Sequence, residues 1–384
     1  MENKTLIKKI NLQNFLSYGS RGEEIELQPL NVLIGTNGSG KSNFIEAFRI
    51  LKAIPTDLMA PIRQGGGINE FIWKGAVTST AVLEVVLNNA ELDFNYKIRF
   101  RSANQRLEIL NEVIEQTEIG KEYRLSSEQS VIARGFNPKA AKAKTLFVNQ
   151  ELFYLKNQFS DIGFYRDWHL GQGSTLRKPQ HTDLPEHPLE EDGSNLGLVL
   201  NDLQYQLPSQ QILEQFKKFY PDAKELNIKI YGGTVQIFIR EKGFSQPIPA
   251  PRLSDGTLHY LFLMALLLDP NPAPLLCIEE PELGLHPDIL PTIAEMLIEA
   301  SQKTQLIITT HSDILISALP TESVLVCERD DEGSHLHRLN PEQLKLHNHK
   351  CQIKTMFKHH IDFQKNICSQ TSEVLETSEV FCFL

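Results

Sequence analysis

Residues 35–42 read Gly35-Thr36-Asn37-Gly38-Ser39-Gly40-Lys41-Ser42, a complete G-x-x-x-x-G-K-S. The motif stands between two patterned segments. Before it, Leu30 to Ile34 is an apolar run of strand length. After it, Asn43 to Ala53 carries Phe44, Ile45, Ala47, Phe48 and Leu51 at helical spacing until Pro55 stops it. Strand, glycine loop and helix form the context in which such a loop cradles phosphates. The glycines let the backbone wrap with its N–H groups turned inward, and the N-terminus of the following helix adds partial positive charge. Lys41 supplies a point charge for β- and γ-phosphates, and the Ser42 hydroxyl a ligand for Mg²⁺. Gly35 to Ser42, with Asn43 opening the helix, are the candidate nucleotide cradle. An ordinary glycine turn is the plainer alternative, and the flanking elements argue against it.

Acidic residues follow far downstream. Leu275 to Ile278 reads as a buried strand ending in Glu279-Glu280-Pro281-Glu282. Carboxylates at the C-terminal end of a strand lie where an open α/β sheet keeps its ligand crevice. In that setting Glu279 holds Mg²⁺ through water, and Glu280 positions or deprotonates an attacking water. A solvated acidic turn is the bland reading, and the phosphate loop makes it less attractive. Leu306 to Thr310 is a further buried strand, ending at His311-Ser312. A lone histidine after a strand is usually structural. Beside the carboxylates, a neutral imidazole is placed to hydrogen-bond a γ-phosphate.

Composition bounds the rest. A chain of 384 residues, 41% hydrophobic and 22% charged, is globular and long enough for two or three lobes. The formal charge of −10 argues against a protein coated all round with nucleic acid, and leaves room for a local basic groove. Cys277, Cys327, Cys351, Cys368 and Cys382 make no C-x-x-C pair, which points to a reducing compartment without a disulfide framework. The first residues hold no apolar core of signal-peptide length. The longest apolar run, Leu258 to Leu268, is too short to span a bilayer. A soluble, cytoplasmic protein with no membrane partner is expected.

Along the chain, residues 5–14 and 24–27 read as strands, 81–100 as two strands around an Asn88-Asn89 turn, and 106–115 as a third, an antiparallel meander. Patterning weakens from 116 to 192, where charged and turn-forming residues suggest a partly helical insertion with a long surface loop. A helical pair broken at Pro208, strands at 226–231 and 234–240, and alternating helices and strands at 258–268, 275–278, 288–302 and 305–310 follow, the mark of a parallel α/β sheet. The expected organisation is an N-terminal lobe (1–115), the insertion (116–192), a C-terminal lobe (193–344) and a tail (345–384). No internal repeat and no sustained heptad run occurs.

The order of motifs carries a resemblance. NGSGKSN, then LSDGT (253–257), then LLCIEEPELGLHP (275–287), then LIITTHS (306–312) resembles the ABC-type ATPase heads of the RecF and SMC class. It is more closely similar to stand-alone AAA-domain ATPases of the AbiEii and overcoming-lysogenization-defect type. Arg63 to Gly67 with Phe71, Trp73 and Gly75, Phe164-Tyr165-Arg166, and Asp192 to Leu196 also look like that group. The resemblance implies an α/β P-loop NTPase fold, an ABC-type two-lobed ATPase head with a β-meander and helical insertion. It makes Leu253 to Thr257 a signature loop in which Ser254 and Gly256 cap the γ-phosphate held by a second copy. Glu282 to His286 would face that copy too. Asp255 stands where transporters have glycine, and Thr257 where they have glutamine. A glutamine that senses the metal is expected between the lobes, with Gln150 as the candidate and Gln158 as its rival. In the tail, His347, His349, Cys351, His359, His360 and Cys368 match no standard zinc spacing and read as a solvated end.

These readings together imply Mg²⁺-dependent ATP hydrolysis by a head-to-head homodimer that ATP joins and hydrolysis releases. Two roles remain open at the level of sequence: a RecF-like clamp on double-stranded DNA in repair or anti-phage defence, or a regulatory ATPase that licenses a separately encoded nuclease or toxin. A transporter motor fits poorly, because it would need a shorter insertion between Lys41 and Ser254.

Overall fold

The structure, a computed structural model, describes residues 5–75, 80–88, 93–116, 119–123, 130, 132, 153–208 and 210–339. Strands β1 (Ile7–Gln13) and β2 (Glu23–Glu26) precede β3 (Leu30–Ile34), and helix α1 (Lys41–Ala53) leaves the glycine loop. Two short helices, α2 (Met59–Gln64) and α3 (Ile68–Phe71), lead to β4 (Ala81–Leu87), β5 (Phe94–Ala103), β6 (Arg106–Gln116) and β7 (Ile119–Tyr123). Helix α4 (153–160) and β8 (Gly163–Tyr165) follow, then β9 (Gln180–His181), α5 (Leu196–Gln206), α6 (Gln211–Phe219), β10 (Ala223–Tyr231), β11 (Thr234–Glu241) and β12 (Ile248–Pro249). The last elements are α7 (Asp255–Leu267), β13 (Leu275–Glu279), α8 (Leu290–Ala300), β14 (Gln305–Thr309), α9 (Asp313–Ala318), β15 (Val324–Asp330) and β16 (Gly333–Arg338).

The central sheet has the order β16-β15-β3-β14-β13-β8, parallel except for the β15–β16 hairpin. Every residue of β3 and β14 is buried, as are Leu275 to Ile278 of β13. Apolar side chains on both faces are what a parallel sheet covered on both sides demands, so these runs are continuous rather than alternating. The meander forms one antiparallel sheet with the first two strands, in the order β2-β1-β4-β5-β6-β7. Its apolar face packs with Phe44 and Phe48 of α1 in one core cluster. Gln305, fully buried at the start of β14, ties the two sheets together. Its Oε1 accepts the Ile7 N–H at 2.9 Å, and its Nε2 donates to the carbonyls of Ile7 (2.8 Å) and Gln28 (3.2 Å). A third sheet, β10-β11-β12 with β9 on β11, lies in the same compact unit, which ends at Arg338. Leu339–Leu384 form a separate unit, of which only Leu339 is among the described residues. The expectations for Gln150 and for the 345–384 tail fall outside the described residues.

Two differences from the sequence expectations have physical causes. The helix expected at 258–268 begins at Asp255, because the Ser254 side chain caps it and accepts the Thr257 N–H. Leu258 to Leu268, too short for a bilayer, is buried on all sides inside the protein. Within the weakly patterned middle, β8 is built into the central sheet beside β13, with Phe164 opposite Cys277. Three residues carry no readable period.

Replacing Gln305 by Leu keeps the volume but orphans the buried N–H and C=O of Ile7. The expected cost is about 2–6 kcal/mol at roughly 1–3 kcal/mol per orphaned group. Chemical denaturation of the variant against the parent measures it, and an unchanged midpoint contradicts the tie between the sheets.

Candidate active site

The parallel register decides where the motifs meet. Leu33 of β3 lies opposite Thr309 of β14, and Thr309 opposite Glu279 of β13. The glycine loop, Thr310-His311 and Glu279-Glu280 therefore leave the same edge of the sheet, the carboxyl end where α/β proteins hold ligands.

The loop is held from behind by the β15–β16 hairpin. Cys327 Sγ donates to the Ser39 carbonyl (3.1 Å), Ser334 Oγ donates to the same carbonyl (2.6 Å), and Tyr18 Oη donates to Gly40 O (3.1 Å). Gly40 has φ +115°, and a Cβ there would stand 2.3 Å from Ser334 Oγ; at Gly35 it would stand 2.2 Å from the Cys327 carbonyl. Glycine is required at both positions by space and by backbone conformation. No side chain caps α1 and no acid occupies its first turn, so its leading N–H groups and partial positive charge are free for an anion. Lys41, buried at the head of α1, donates to the carbonyls of Gly35 (2.8 Å) and Thr36 (3.0 Å). Burial lowers its pKa, while Cys327, Glu280 and Glu279 pull it back up. Thr36 is half-buried, Asn37, Gly38 and Ser42 are exposed, and Asn43 is half-buried in the first turn.

Ser42 Oγ donates to Glu279 Oε2 at 3.2 Å, joining the phosphate loop to the acidic strand end across 237 residues of sequence. The other oxygen, Glu279 Oε1, is buried and has no hydrogen-bond partner among the described residues. Burial raises the Glu279 pKa; Arg166 and Ser42 oppose the shift, and Glu280 and Glu46 add to it. An orphaned carboxylate oxygen beside a serine hydroxyl fits a divalent cation. No group of three or more His, Cys, Asp or Glu among the described residues is placed to hold a metal. A serine hydroxyl beside a carboxylate oxygen suits Mg²⁺, which takes one or two protein oxygens and completes its shell from phosphates and water.

Glu280 is a non-glycine residue with φ +47°, fixed by its N–H donating to Thr309 O at 2.9 Å. Strain of this kind is retained where the surroundings over-determine it, as in active sites. Its Oε1 lies 3.9 Å from His311 Nε2, and both side chains are substantially exposed. Glu282, expected with its loop to face a second copy, also bonds within its own chain. Its Oε1 accepts the Thr310 hydroxyl (2.7 Å) and the His311 N–H (2.9 Å), so it turns inward and sets the turn that carries His311.

Two further residues belong to this edge. Arg166, just after β8, lies 4.0 Å from Glu279 Oε1 and 3.4 Å from Glu46 Oε2. Trp168 Nε1 donates to the Glu279 carbonyl at 2.7 Å. The resemblance pointed to the stretch around Arg166 without assigning it a role. Ser254 and Gly256 lie elsewhere. Among the described residues, no hydrogen bond or ion pair joins them to the phosphate loop. Instead Ser254 caps α7, and Gly256 faces the loop after Glu280, where a Cβ would stand 3.0 Å from the Gly284 carbonyl.

His335 anchors the hairpin behind the phosphate loop. Nδ1 is 3.2 Å from Glu23 Oε2 and Nε2 is 3.1 Å from Asp330 Oδ1, so both ring nitrogens can donate when the ring is protonated. Burial works against that charge, but the hydrogen bonds to Asp330 and Glu23 outweigh it and raise the pKa. A raised pKa stabilises the fold fully below the ordinary imidazole value of about 6.5, and this contribution is lost as pH rises through the folded value. The melting-temperature difference between the parent and His335→Gln should be largest near pH 6 and shrink toward pH 9. A pH-independent difference contradicts the ion pairs.

The fold has relatives among known proteins. An SMC head bound to the C-winged helix domain of ScpA matches over 88% of this chain and 99% of its own, with 17% identity and a TM-score of 0.58. The SMC head domain with an extended coiled coil from Pyrococcus furiosus, bound to the C-terminal domain of ScpA, matches over 88% and 98% with 14% identity and a TM-score of 0.57. A head with coiled coil and joint from Pyrococcus yayanosii covers 92% and 99% with 13% identity and a TM-score of 0.53. These likenesses give the fold, that of an α/β P-loop ATPase head of the ABC and SMC type. No curated protein sequence matches the chain. Residues 30–317, from β3 through α9, match the family model described as "AAA domain, putative AbiEii toxin, Type IV TA system", and the chain belongs to that family.

Proposed function

We propose that this chain hydrolyses ATP with Mg²⁺ as a head-to-head dimer that ATP closes and hydrolysis opens. The observation that carries the reading is the Ser42–Glu279 hydrogen bond, which brings phosphate loop and acidic strand end into one site. Lys41 and the N-terminus of α1 bind the β- and γ-phosphates and stabilise charge as it develops there. Ser42 and Glu279 hold Mg²⁺, which supplies charge neutralisation at the phosphates when bound; Gln150 remains the candidate for a further metal contact. Glu280, exposed beside His311, orients the attacking water and takes its proton. Glu282 keeps His311 in reach of the γ-phosphate. Ser254 and Gly256, having no bond to their own phosphate loop, are free to serve the nucleotide of a second copy. Exposed Leu283 and Ile314 flank Glu280 and His311 and suit burial in such an interface.

The switch is proposed to act in the cytoplasm, on double-stranded DNA in maintenance or anti-phage defence. Among the described residues no helix is long and apolar enough to cross a membrane. The net charge of −10 favours a second reading, in which the ATPase licenses a separately encoded nuclease or toxin and binds no DNA itself.

Glu280→Gln is expected to retain ATP, to lose turnover by about 10²–10⁴-fold, and to accumulate an ATP-bound dimer visible by light scattering. Parental turnover in this variant removes Glu280 from the chemistry. Titrating the same variant with duplex DNA separates the two roles. A clamp predicts ATP-dependent binding whose log affinity falls against log salt with a slope of about −0.9 per phosphate contact. Absence of binding even at low salt selects the licensing role.

A further inference from the structure

Arg177 lies at the end of a 3₁₀ turn (Thr175–Arg177), remote in sequence from every motif, and its side chain is only 13% exposed. All three of its guanidinium nitrogens are engaged. Nε donates to Gly171 O (3.0 Å), Nη1 to the carbonyls of Leu253 (2.5 Å) and Pro251 (3.3 Å), and Nη2 to Asp255 Oδ1 (2.5 Å). The Gly171 N–H donates to the same Asp255 oxygen at 2.9 Å. Hydrogen bonds from Arg177 and Gly171 hold the Asp255 carboxyl below its ordinary pKa. One side chain thus gathers the acceptors on both sides of Ser254.

Those acceptors matter because of where they sit. Ser254 Oγ and the first N–H groups of α7 form an anion-attracting helix start, yet Asp255 is a carboxylate in its first turn and Leu253 O is a carbonyl one residue before the cap. Left free, both would repel an arriving phosphate. Arg177 pulls them to one side and cancels the charge. Its own burial keeps it from reaching a second molecule, so it acts through the loop. Asp255, the acidic residue where transporters have glycine, is explained by the same contact: it is the docking point of the clamp.

We infer that Arg177 is a positioning residue for the loop Leu253–Thr257, holding it in the shape that receives a phosphate bound by a second copy of the chain. The inference rests on the dimer reading above, and mixing experiments separate the two. Arg177→Met is expected to bind ATP in its own phosphate loop within twofold of the parent and to lose turnover by tenfold or more. Mixed with Lys41→Met, which has a disabled phosphate loop and an intact loop at 253–257, it should regain turnover above the sum of the two variants alone. Each mixed dimer then holds one complete composite site. The pair Ser254→Arg and Lys41→Met serves as reference. If the reference pair complements and Arg177→Met either turns over like the parent or is not rescued, the assignment of Arg177 is overturned. If neither pair complements, the loop does not serve a partner, and the inference falls with the dimer reading. Should the Met variant fail to fold by its melting curve, Arg177→Lys carries the same test, since an ammonium cannot span the carboxylate and the carbonyls together.

Discussion

The ladder of three parallel strands, β3-β14-β13, is the constraint on which the rest depends. Because Leu33, Thr309 and Glu279 lie side by side, the chain leaves the sheet at one edge in three places. Each exit carries a different chemistry: a glycine loop, a histidine turn and a pair of carboxylates. A one-residue slip would turn every side chain of a strand to the other face. Apolar on both faces, these strands do not forbid it by pattern; the buried polar bonds do, Gln305 to Ile7 and Gln28 and Asn31 Nδ2 to the Leu306 carbonyl. The meeting of Ser42 with Glu279 is a consequence of sheet packing.

A second layer acts on the phosphate loop from behind. The β15–β16 hairpin contributes Cys327 and Ser334 to the Ser39 carbonyl and leaves room only for glycine at positions 35 and 40. A loop whose N–H groups must face a ligand has its carbonyls to dispose of, and the hairpin's donors take one of them. The glutamates divide the work in a similar way. Glu279 bonds the phosphate-loop serine, Glu280 is held strained and exposed, and Glu282 turns inward to fix Thr310 and His311.

Legibility in the sequence followed from locality. The elements β3, α1, β13 and β14 were readable because each is a continuous apolar or helical run next to a chemically loaded loop. The hairpin β15–β16 was not, because its outer positions carry Glu328, Arg329, Asp330, His335 and His337 and resemble ordinary surface. Strand β8 was too short to show a period. The bonds of Glu282 to Thr310 and His311 carry no signal in the sequence, since nothing local tells a carboxylate which of its neighbours it will bond. Arg166 and Arg177 were missed or left without a role for the same reason: each acts on residues more than seventy positions away, and no local pattern records such a contact.

We propose that Lys41, Ser42 and Glu279 form one Mg²⁺-dependent nucleotide site. Equilibrium binding of ATP to the purified chain, with Mg²⁺ and with chelator, tests it most directly when run beside Lys41→Met and Ser42→Ala. Saturable binding by the parent is expected, strengthened by Mg²⁺, abolished by Lys41→Met, and without Mg²⁺ dependence in Ser42→Ala. Binding that is indifferent to Mg²⁺ and survives both substitutions would place the nucleotide elsewhere and contradict it.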